Sequence, residues 1–591
     1  MISLTPDQRR AVEHQGNIML SACPGSGKTR VIITKLLKLA EQVEGTPRSI
    51  GCITYTNAAV DEIEYRIKQF GTNALVDRCE IATIHSFCIR FILRPFVWML
   101  PELPQNFKIL TREMRFFDRL VRAVEEEENR AVQFRTFEDY ASLRMGIGGN
   151  PVGVGIESGI VNERSARRFW ELMLRNGFID FSMILYYSLR ILEEHPFVTA
   201  GLSARFAWLL VDEFQDTTDI QIEILRRLQE QINSQFFLVG DENQSIHAFA
   251  GARPDLARGF SNDIGARQDI ALSGNFRCAP QIIVPAEALI ARVPPMVSAG
   301  DAALIAGRVE YRHVANPREA ITDHFIPMLE ARGIALGSAA VLAPWWRHLI
   351  PIARRLREMD IPVFGPGARP YQRRRVYAHL AEQLGACVAS ETLDALPGVE
   401  KAIFHVASEA MGTPRFDIFT YTGRCTALAL VYEAQRLALL HPGGMDWLEV
   451  SAQAVATILR DGEWINELAA QAIIRSVGEM RTDMERNNID IANLQISDLG
   501  LFADPKSAIK LITLHNSKGR EFEAVAIVHA NQGQIPHWTA DTQEEFDEAR
   551  RLFYVGLTRA KQHLMVFSDQ MDYRNVRTPF IAEAGLIQEP A

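Results

Sequence analysis

The octapeptide Ala22-Cys-Pro-Gly-Ser-Gly-Lys-Thr29 joins an apolar run to a helical pattern through small residues, and it ends in a lysine and a threonine. Small residues let backbone N–H groups wrap a phosphate. The lysine reaches the β and γ oxygens of a nucleoside triphosphate, and the threonine hydroxyl is suited to Mg²⁺. The implied cradle is Ala22, Pro24, Gly25, Ser26, Gly27, Lys28, Thr29 and Arg30, with Ala22 at a leading position more often held by glycine. Taken alone, the octapeptide also reads as an ordinary strand-to-helix turn. A second signal is Asp212-Glu213, delivered by the apolar run Ala207 to Val211. At a strand's carboxyl end, Asp212 is suited to hold Mg²⁺ and Glu213 to polarise an attacking water, the alternative being a solvated acidic turn. Together the two motifs point to triphosphate hydrolysis.

Such chemistry needs strands that end at the site. Runs at Asn17 to Ala22, Ile50 to Tyr55, Ala207 to Val211 and Phe236 to Gly240, with a helical pattern from Lys28 to about Gln42, predict a parallel α/β sheet. A second such rhythm appears at Ala339 to Ala343, Leu511 to Leu514, Ala524 to His529 and His563 to Phe567. Two stretches differ. Arg94 to Pro196 and Val376 to Asn493 read as mainly helical, the first broken by a glycine-rich stretch, Gly146 to Gly159, that predicts a mobile loop. The organisation expected is two α/β units, each interrupted by a helical insertion. Glu125 to Glu128 reads as a solvated helix face. Arg354, Arg355 and Arg357, and Arg373 to Arg375, read the same way, with duplex phosphates as the alternative.

Composition excludes several classes. The 591 residues are 47% hydrophobic and 23% charged, a balance that supports several packed cores and rules out a mainly disordered chain. A net charge of -9 argues against a histone-like protein coated with nucleic acid, while leaving room for a basic groove. The seven cysteines form no CxxC pair and no Cys/His cluster, against an iron–sulfur or structural zinc site. No apolar run reaches membrane-spanning length, and Met1 to Gln15 lacks the apolar core of a signal peptide. A cytoplasmic protein without membrane contact is expected.

Beyond the two motifs, further blocks follow in order: Leu-Thr-Pro-Asp-Gln8, Tyr55-Thr-Asn-Ala-Ala, Thr83-Ile-His-Ser-Phe87, Asp212-Glu-Phe-Gln-Asp216 and Gly240-Asp-Glu-Asn-Gln-Ser245. Gly274-Asn-Phe-Arg277, Thr513-Leu-His-Asn-Ser-Lys-Gly-Arg-Glu-Phe522 and Tyr554-Val-Gly-Leu-Thr-Arg-Ala560 complete the series. In these blocks the chain resembles the UvrD/Rep/PcrA-like superfamily 1A DNA helicases. The resemblance implies two RecA-like P-loop domains with parallel sheets, each carrying a mainly helical insertion: 1–94 and 197–276 as domain 1A, 95–196 as 1B, 277–375 and 494–591 as 2A, and 376–493 as 2B. It implies ATP and Mg²⁺ as cofactors, bound in a cleft between the two RecA-like domains. Gln8 would read the adenine edge, Phe276 stack on the adenine and Glu521 meet the ribose. A polar residue exposed before a helix, a ring packed in the core and an ordinary salt bridge are their respective alternatives. Gln244 would sense the γ-phosphate or its water, a turn-stabilising amide being the other reading. Arg277 and Arg559, both assigned to the second half, resemble arginine fingers, which contribute about 10³–10⁵ in rate.

The same resemblance puts Tyr55, His85 and Phe249 against single-stranded DNA, and Thr56, Asn57, Thr83, Ser86 and His515 on backbone phosphates. Loops after strands also carry such residues for structural reasons. Two departures bear on grip. The family often has lysine where this chain has Ala58, and an aromatic–x–aromatic–Arg run where this chain reads His247-Ala-Phe249-Ala250. The function implied is an ATP-dependent single-strand translocase and 3′ to 5′ DNA helicase, acting on single strands and junctions, with a separate nuclease or repair protein as partner. A DNA-gated ATPase that regulates a helicase–nuclease system in antiviral defence, without processive unwinding, is the alternative that the departures favour. Oligomeric state is not legible in these residues.

Overall fold

Strands buried along their whole length, such as Ser-Ile-Gly-Cys-Ile-Thr54, show the pattern of a parallel sheet covered by helices on both faces. The computed structural model describes residues 3–112, 114–230, 234–390, 395–411, 420–570 and 576–587. Its chain divides into two units, Met1–Ala306 with Thr542–Tyr554, and Gly307–Asp541 with Val555–Ala591.

The first unit holds a six-stranded, all-parallel sheet in the order Ala271–Leu272, Ile18–Ala22, Gln235–Gly240, Phe206–Val211, Ser49–Thr54, Cys79–Thr83. Side-chain alternation assigns each strand to two cores. Trp208 and Leu210 face a cluster with Val31, Ile32 and Leu36 of helix Lys28–Gln42. Leu209 and Val211 face the opposite cluster with Ile184 of helix Phe181–Glu194 and Leu225 of helix Asp219–Glu230. That second core runs on without a break into the first insertion, through Phe117, Leu120, Phe169 and Trp170. The insertion is therefore fixed to the sheet by shared burial.

Two expectations about this insertion change. The stretch expected as a mobile loop contains a hairpin, Arg144–Met145 against Pro151–Val152, and a helical turn, Val154–Glu157. Gly153 serves a close contact: it has φ +130, and a Cβ there would lie 2.5 Å from the Ser142 carbonyl oxygen. Glu125 is not on a solvated face. It is buried, and its Oε1 accepts from the Tyr140 hydroxyl at 2.7 Å and from Arg130 at 2.8 Å.

The second unit carries another all-parallel sheet, ordered Arg308–Val314, Ala560–Asp569, Phe522–Ile527, Ala339–Ala343, Ile509–Thr513, Val363–Phe364. Its helical insertion has a separate core built on Trp447, Leu448, Ile473 and Met480, distinct from the sheet core around Val341, Leu349 and Leu511. Arg375 is not solvated: its Nε and Nη2 each donate to Asp483 at 2.7 Å.

The division between units falls at Ala306/Gly307, later than the 276/277 boundary expected from sequence. Strand Gly274–Asn275 pairs in parallel with Val297–Ser298, and the Phe276 amide donates to the Gly25 carbonyl at 2.8 Å, so the chain stays with the first sheet past Arg277. Among the described residues, no helix is long and apolar enough to cross a membrane.

Candidate active site

Every strand of the first sheet that carries a motif ends at the same edge, because all are parallel. Ala22, Thr54, Thr83, Val211 and Gly240 terminate there, and the chemistry-bearing residues follow them. After Ala22, Gly25 takes φ +66 and Gly27 takes φ +78, the latter capping helix Lys28–Gln42. Gly25 is obligatory for a second reason. A Cβ there would lie 2.6 Å from the Arg277 Cβ and 2.7 Å from the Asn275 Oδ1. Asn275 Oδ1 in turn accepts from the amides of Arg277 and Cys278, 2.8 Å each. Arg277 and Phe276 thus pack against the phosphate loop within the first unit, where the sequence places Phe276 but not Arg277, which it assigns to the second half. The Phe276 ring is half-buried, against Gly300.

Lys28 Nζ donates to Glu213 Oε1 at 3.1 Å. Burial works against its charge, but the carboxylates of Glu213, Asp212 and Asp241 outweigh burial and hold the ammonium above the ordinary lysine value. Glu213 adopts φ +51, a left-handed conformation that is costly for a residue with a Cβ. Its Oε2 accepts from Gln215 Nε2 at 2.6 Å, and Gln215 Oε1 accepts the Asp241 amide at 2.9 Å. Asp212 carries Oδ1 on the Glu213 amide at 2.9 Å. Gln244, buried, donates from Nε2 to Asp241 Oδ2 at 2.7 Å, and Arg292 Nη1 donates to Asp241 Oδ1 at 2.7 Å.

Gln8 lies beside this loop with its amide engaged. Nε2 donates to the Ser26 carbonyl at 2.9 Å, and Oε1 accepts the Thr5 amide at 3.0 Å in a capping box. Arg30 is exposed, within 3.5 Å of the Ser3 carbonyl.

Whether triphosphate and Mg²⁺ suit these residues is tested by the loop itself. The Ser26 hydroxyl is buried and has no protein hydrogen-bond partner among the described residues, as expected for a group that faces a polar ligand. Among the described residues, no group of three or more His, Cys, Asp and Glu side chains is arranged to hold a metal. The donors on offer, the Thr29 hydroxyl and the Asp212 carboxylate, suit Mg²⁺ held partly by substrate phosphates.

Around the same edge, Tyr55 stacks on His247 with ring centroids 5.5 Å apart, and His247 meets Phe249 edge on at 5.8 Å. Thr56 caps helix Asn57–Phe70, whose first residue Asn57 is exposed, while Thr83 accepts the Ser86 amide and donates to the Ser86 hydroxyl at 3.0 Å. His85 lies edge on to Phe181 at 5.3 Å.

Three predicted residues lie in the second unit. Arg559 is buried and donates to the carbonyls of Val555 and Arg520 at 2.9 and 3.2 Å. Glu521 is exposed and lies 3.2 Å from Lys561, the ordinary salt bridge that the sequence leaves open. His515 begins a single turn after strand Ile509–Thr513.

Burial pushes His85 and His515 down to about 4, so both imidazoles are neutral at neutral pH. In the unfolded chain they titrate near 6.5, so between these values the unfolded state binds more protons and folding stability rises with pH. The contribution is complete above about pH 6.5 and is lost on acidification toward 4, by up to about 1.4 kcal/mol per pH unit for each imidazole. Urea denaturation is therefore expected at a lower midpoint at pH 5.5 than at pH 7.5. Equal midpoints would contradict the buried, neutral assignment.

The sequence reading missed Asp241, Gln215 and Arg292. Both Asp241 and Gln215 lie inside recognised blocks, Asp241 directly after strand Gln235–Gly240 and Gln215 in the turn Phe214–Asp216 beyond strand Phe206–Val211, a usable signal. Arg292, in Ile-Ala-Arg-Val, carries none.

A phosphate loop and strand-end carboxylates at the edge of one parallel sheet, with a second parallel sheet further along the chain, define a P-loop protein of the two-sheet type. Residues 4–265 match the model of the UvrD/REP helicase N-terminal domain, and residues 463–570 match that of the UvrD-like helicase C-terminal domain. The chain belongs to this family of DNA helicases. It is 26% identical to DNA helicase II of Escherichia coli over 621 residues, covering 95% of this chain and 84% of the relative. It is 26% identical to the ATP-dependent DNA helicase Rep of the same organism over 616 residues, covering 95% and 90%. Against the ATP-dependent DNA helicase PcrA of Bacillus subtilis it is 23% identical over 653 residues, covering 99% and 85%.

Proposed function

We propose that the protein is an ATP-dependent motor that moves along single-stranded DNA and unwinds duplexes in the 3′ to 5′ direction. The observation that carries this reading is the linked set Lys28, Glu213, Gln215, Asp241 and Gln244, which joins a phosphate-binding cation to a carboxylate base and to a buried amide within one sheet edge. The names of the relatives support ATP and DNA as the ligands.

In this reading Lys28 exchanges its contact with Glu213 for the β and γ phosphates. Glu213, released, takes the proton of the attacking water. Mg²⁺ bound through Thr29 and Asp212 supplies further neutralisation of phosphate charge. Gln8, Phe276 and Glu521 orient the nucleoside, and Arg277 and Arg559 offset charge on the γ-phosphate. Gln244 senses that phosphate and hands its state to Asp241. Tyr55, His85 and Phe249 stack on bases, while Thr56, Asn57, Thr83, Ser86 and His515 meet the backbone, each base stack worth about 1–3 kcal/mol.

The test is strand displacement on partial duplexes with a 3′ or a 5′ single-stranded tail. Displacement is expected with the 3′ tail, in the presence of ATP and Mg²⁺, and not with the 5′ tail. DNA-stimulated hydrolysis without displacement from either substrate would leave a DNA-gated ATPase in place of a helicase.

A further inference from the structure

The loop after strand Gln235–Gly240 reads Ser245-Ile-His-Ala-Phe-Ala-Gly251, with aromatic rings and no lysine or arginine of its own. Phe249 is 60% exposed and Tyr55 is 41% exposed. Such a surface offers stacking to bases but no charge to the phosphates between them.

A cation reaches this loop from elsewhere in the chain. Arg144, in the hairpin of the first helical insertion, donates from Nη1 to the Ala250 carbonyl. Gly251 permits the approach: it has φ +89, and a Cβ there would lie 1.9 Å from that Nη1. The hairpin does not swing free. Met145 is buried in the core shared with the sheet, and its amide donates to Ser182 Oγ at 3.0 Å, which donates to Asp180 at 2.7 Å.

Arg144 differs from the neighbouring arginines in its charge partner. Arg253 is clamped by Asp255 at 2.7 and 2.9 Å, and Arg258 is held on Glu242, so both are neutralised. Arg144 is paired with no carboxylate among the described residues; its acceptor is a backbone carbonyl. One of five guanidinium donors is used there, leaving a net positive charge and the remaining donors on the loop that carries the exposed Phe249. Half-burial weakens solvent screening of that charge.

We infer that Arg144 is a phosphate-binding residue of the single-strand track, through which the first insertion takes a direct part in gripping nucleic acid. This assignment rests on the strand-motor reading above. Arg144→Gln keeps a donor for the Ala250 carbonyl while removing the charge. The double variant Arg144→Gln/Ala250→Arg returns a cation to the loop itself.

The experiment is an equilibrium titration of a fluorescent oligothymidylate at several salt concentrations, with thermal melting of each variant as a check on folding. For Arg144→Gln the slope of log K against log salt is expected to shrink by about 0.7, the value for one single-strand phosphate, with several-fold weaker binding at low salt. The double variant is expected to recover the parent slope, and Arg253→Ala to keep it. An unchanged slope for Arg144→Gln, with the parent still binding, overturns this assignment alone. A lowered melting temperature with the slope unchanged overturns it too, by reducing Arg144 to a structural tie. Failure of the parent itself to bind the oligonucleotide overturns the strand-motor reading along with it.

Discussion

Glu213→Gln is expected to lower steady-state ATP turnover by about 10²–10⁴, the usual loss when a general base is removed. Nucleotide affinity is expected to hold or to rise. The reason lies in the 3.1 Å contact between Lys28 and Glu213, which competes with any phosphate for the same ammonium. A neutral amide at 213 weakens that competition, because it lacks the charge that holds Lys28 in place. Lys28→Ala should behave differently, losing affinity and turnover together. Phosphate-release kinetics and titration with a fluorescent ATP analogue separate the two patterns. Turnover by Glu213→Gln within tenfold of the parent would remove Glu213 from the chemistry.

The second large effect concerns Arg292, which no motif announces. Its side chain is 8% exposed and that of its partner Asp241 is 1% exposed. Burial opposes the guanidinium's charge, but Asp241, with help from Tyr554, holds the arginine above its ordinary value. Arg292→Ala leaves a buried carboxylate without its counter-charge, a loss of about 3–5 kcal/mol. Asp241 also receives Gln244, so the same variant should disturb the amide proposed to sense the γ-phosphate, visible as a change in kcat beyond the loss of folded protein. Arg292→Met with Asp241→Asn removes both charges and is expected to regain most of the stability, because a buried pair contributes little net stability over neutral groups of similar volume. It should not regain turnover, since Gln244 then faces a neutral partner. Calorimetry and turnover measured on the three proteins decide the matter. A melting temperature for Arg292→Ala equal to that of the parent would sink the argument.

Linear sequence was enough for much of this. The phosphate loop, the strand-end carboxylates and the central strands are all local patterns: short apolar runs bounded by glycine or acidic residues, with helix Lys28–Gln42 starting at the loop's lysine. Such patterns survive in one dimension because burial on both sheet faces demands continuous apolar stretches. Edge strands were not legible. Cys79–Thr83 and Arg308–Val314 carry charged or partly exposed residues, since one side of each lies outside the sheet. The glycine-rich stretch of the first insertion misled for a related reason. Glycine marks tight turns and close contacts as well as looseness, and only the neighbours of Gly153 tell which.

Chain order by itself determined the class of chemistry, because residues that must follow a strand or open a helix are adjacent in sequence to the element that aims them. It did not determine partnership across the fold. Arg277 on the phosphate loop, Arg292 on Asp241 and Arg144 on the Ala250 carbonyl join residues separated by up to 252 positions, 106 in the last case. An arginine's reach and charge are the same wherever it stands in a chain. Which acid, carbonyl or phosphate it serves depends on what packing brings within about 3 Å of its guanidinium, and only the tertiary structure decides that.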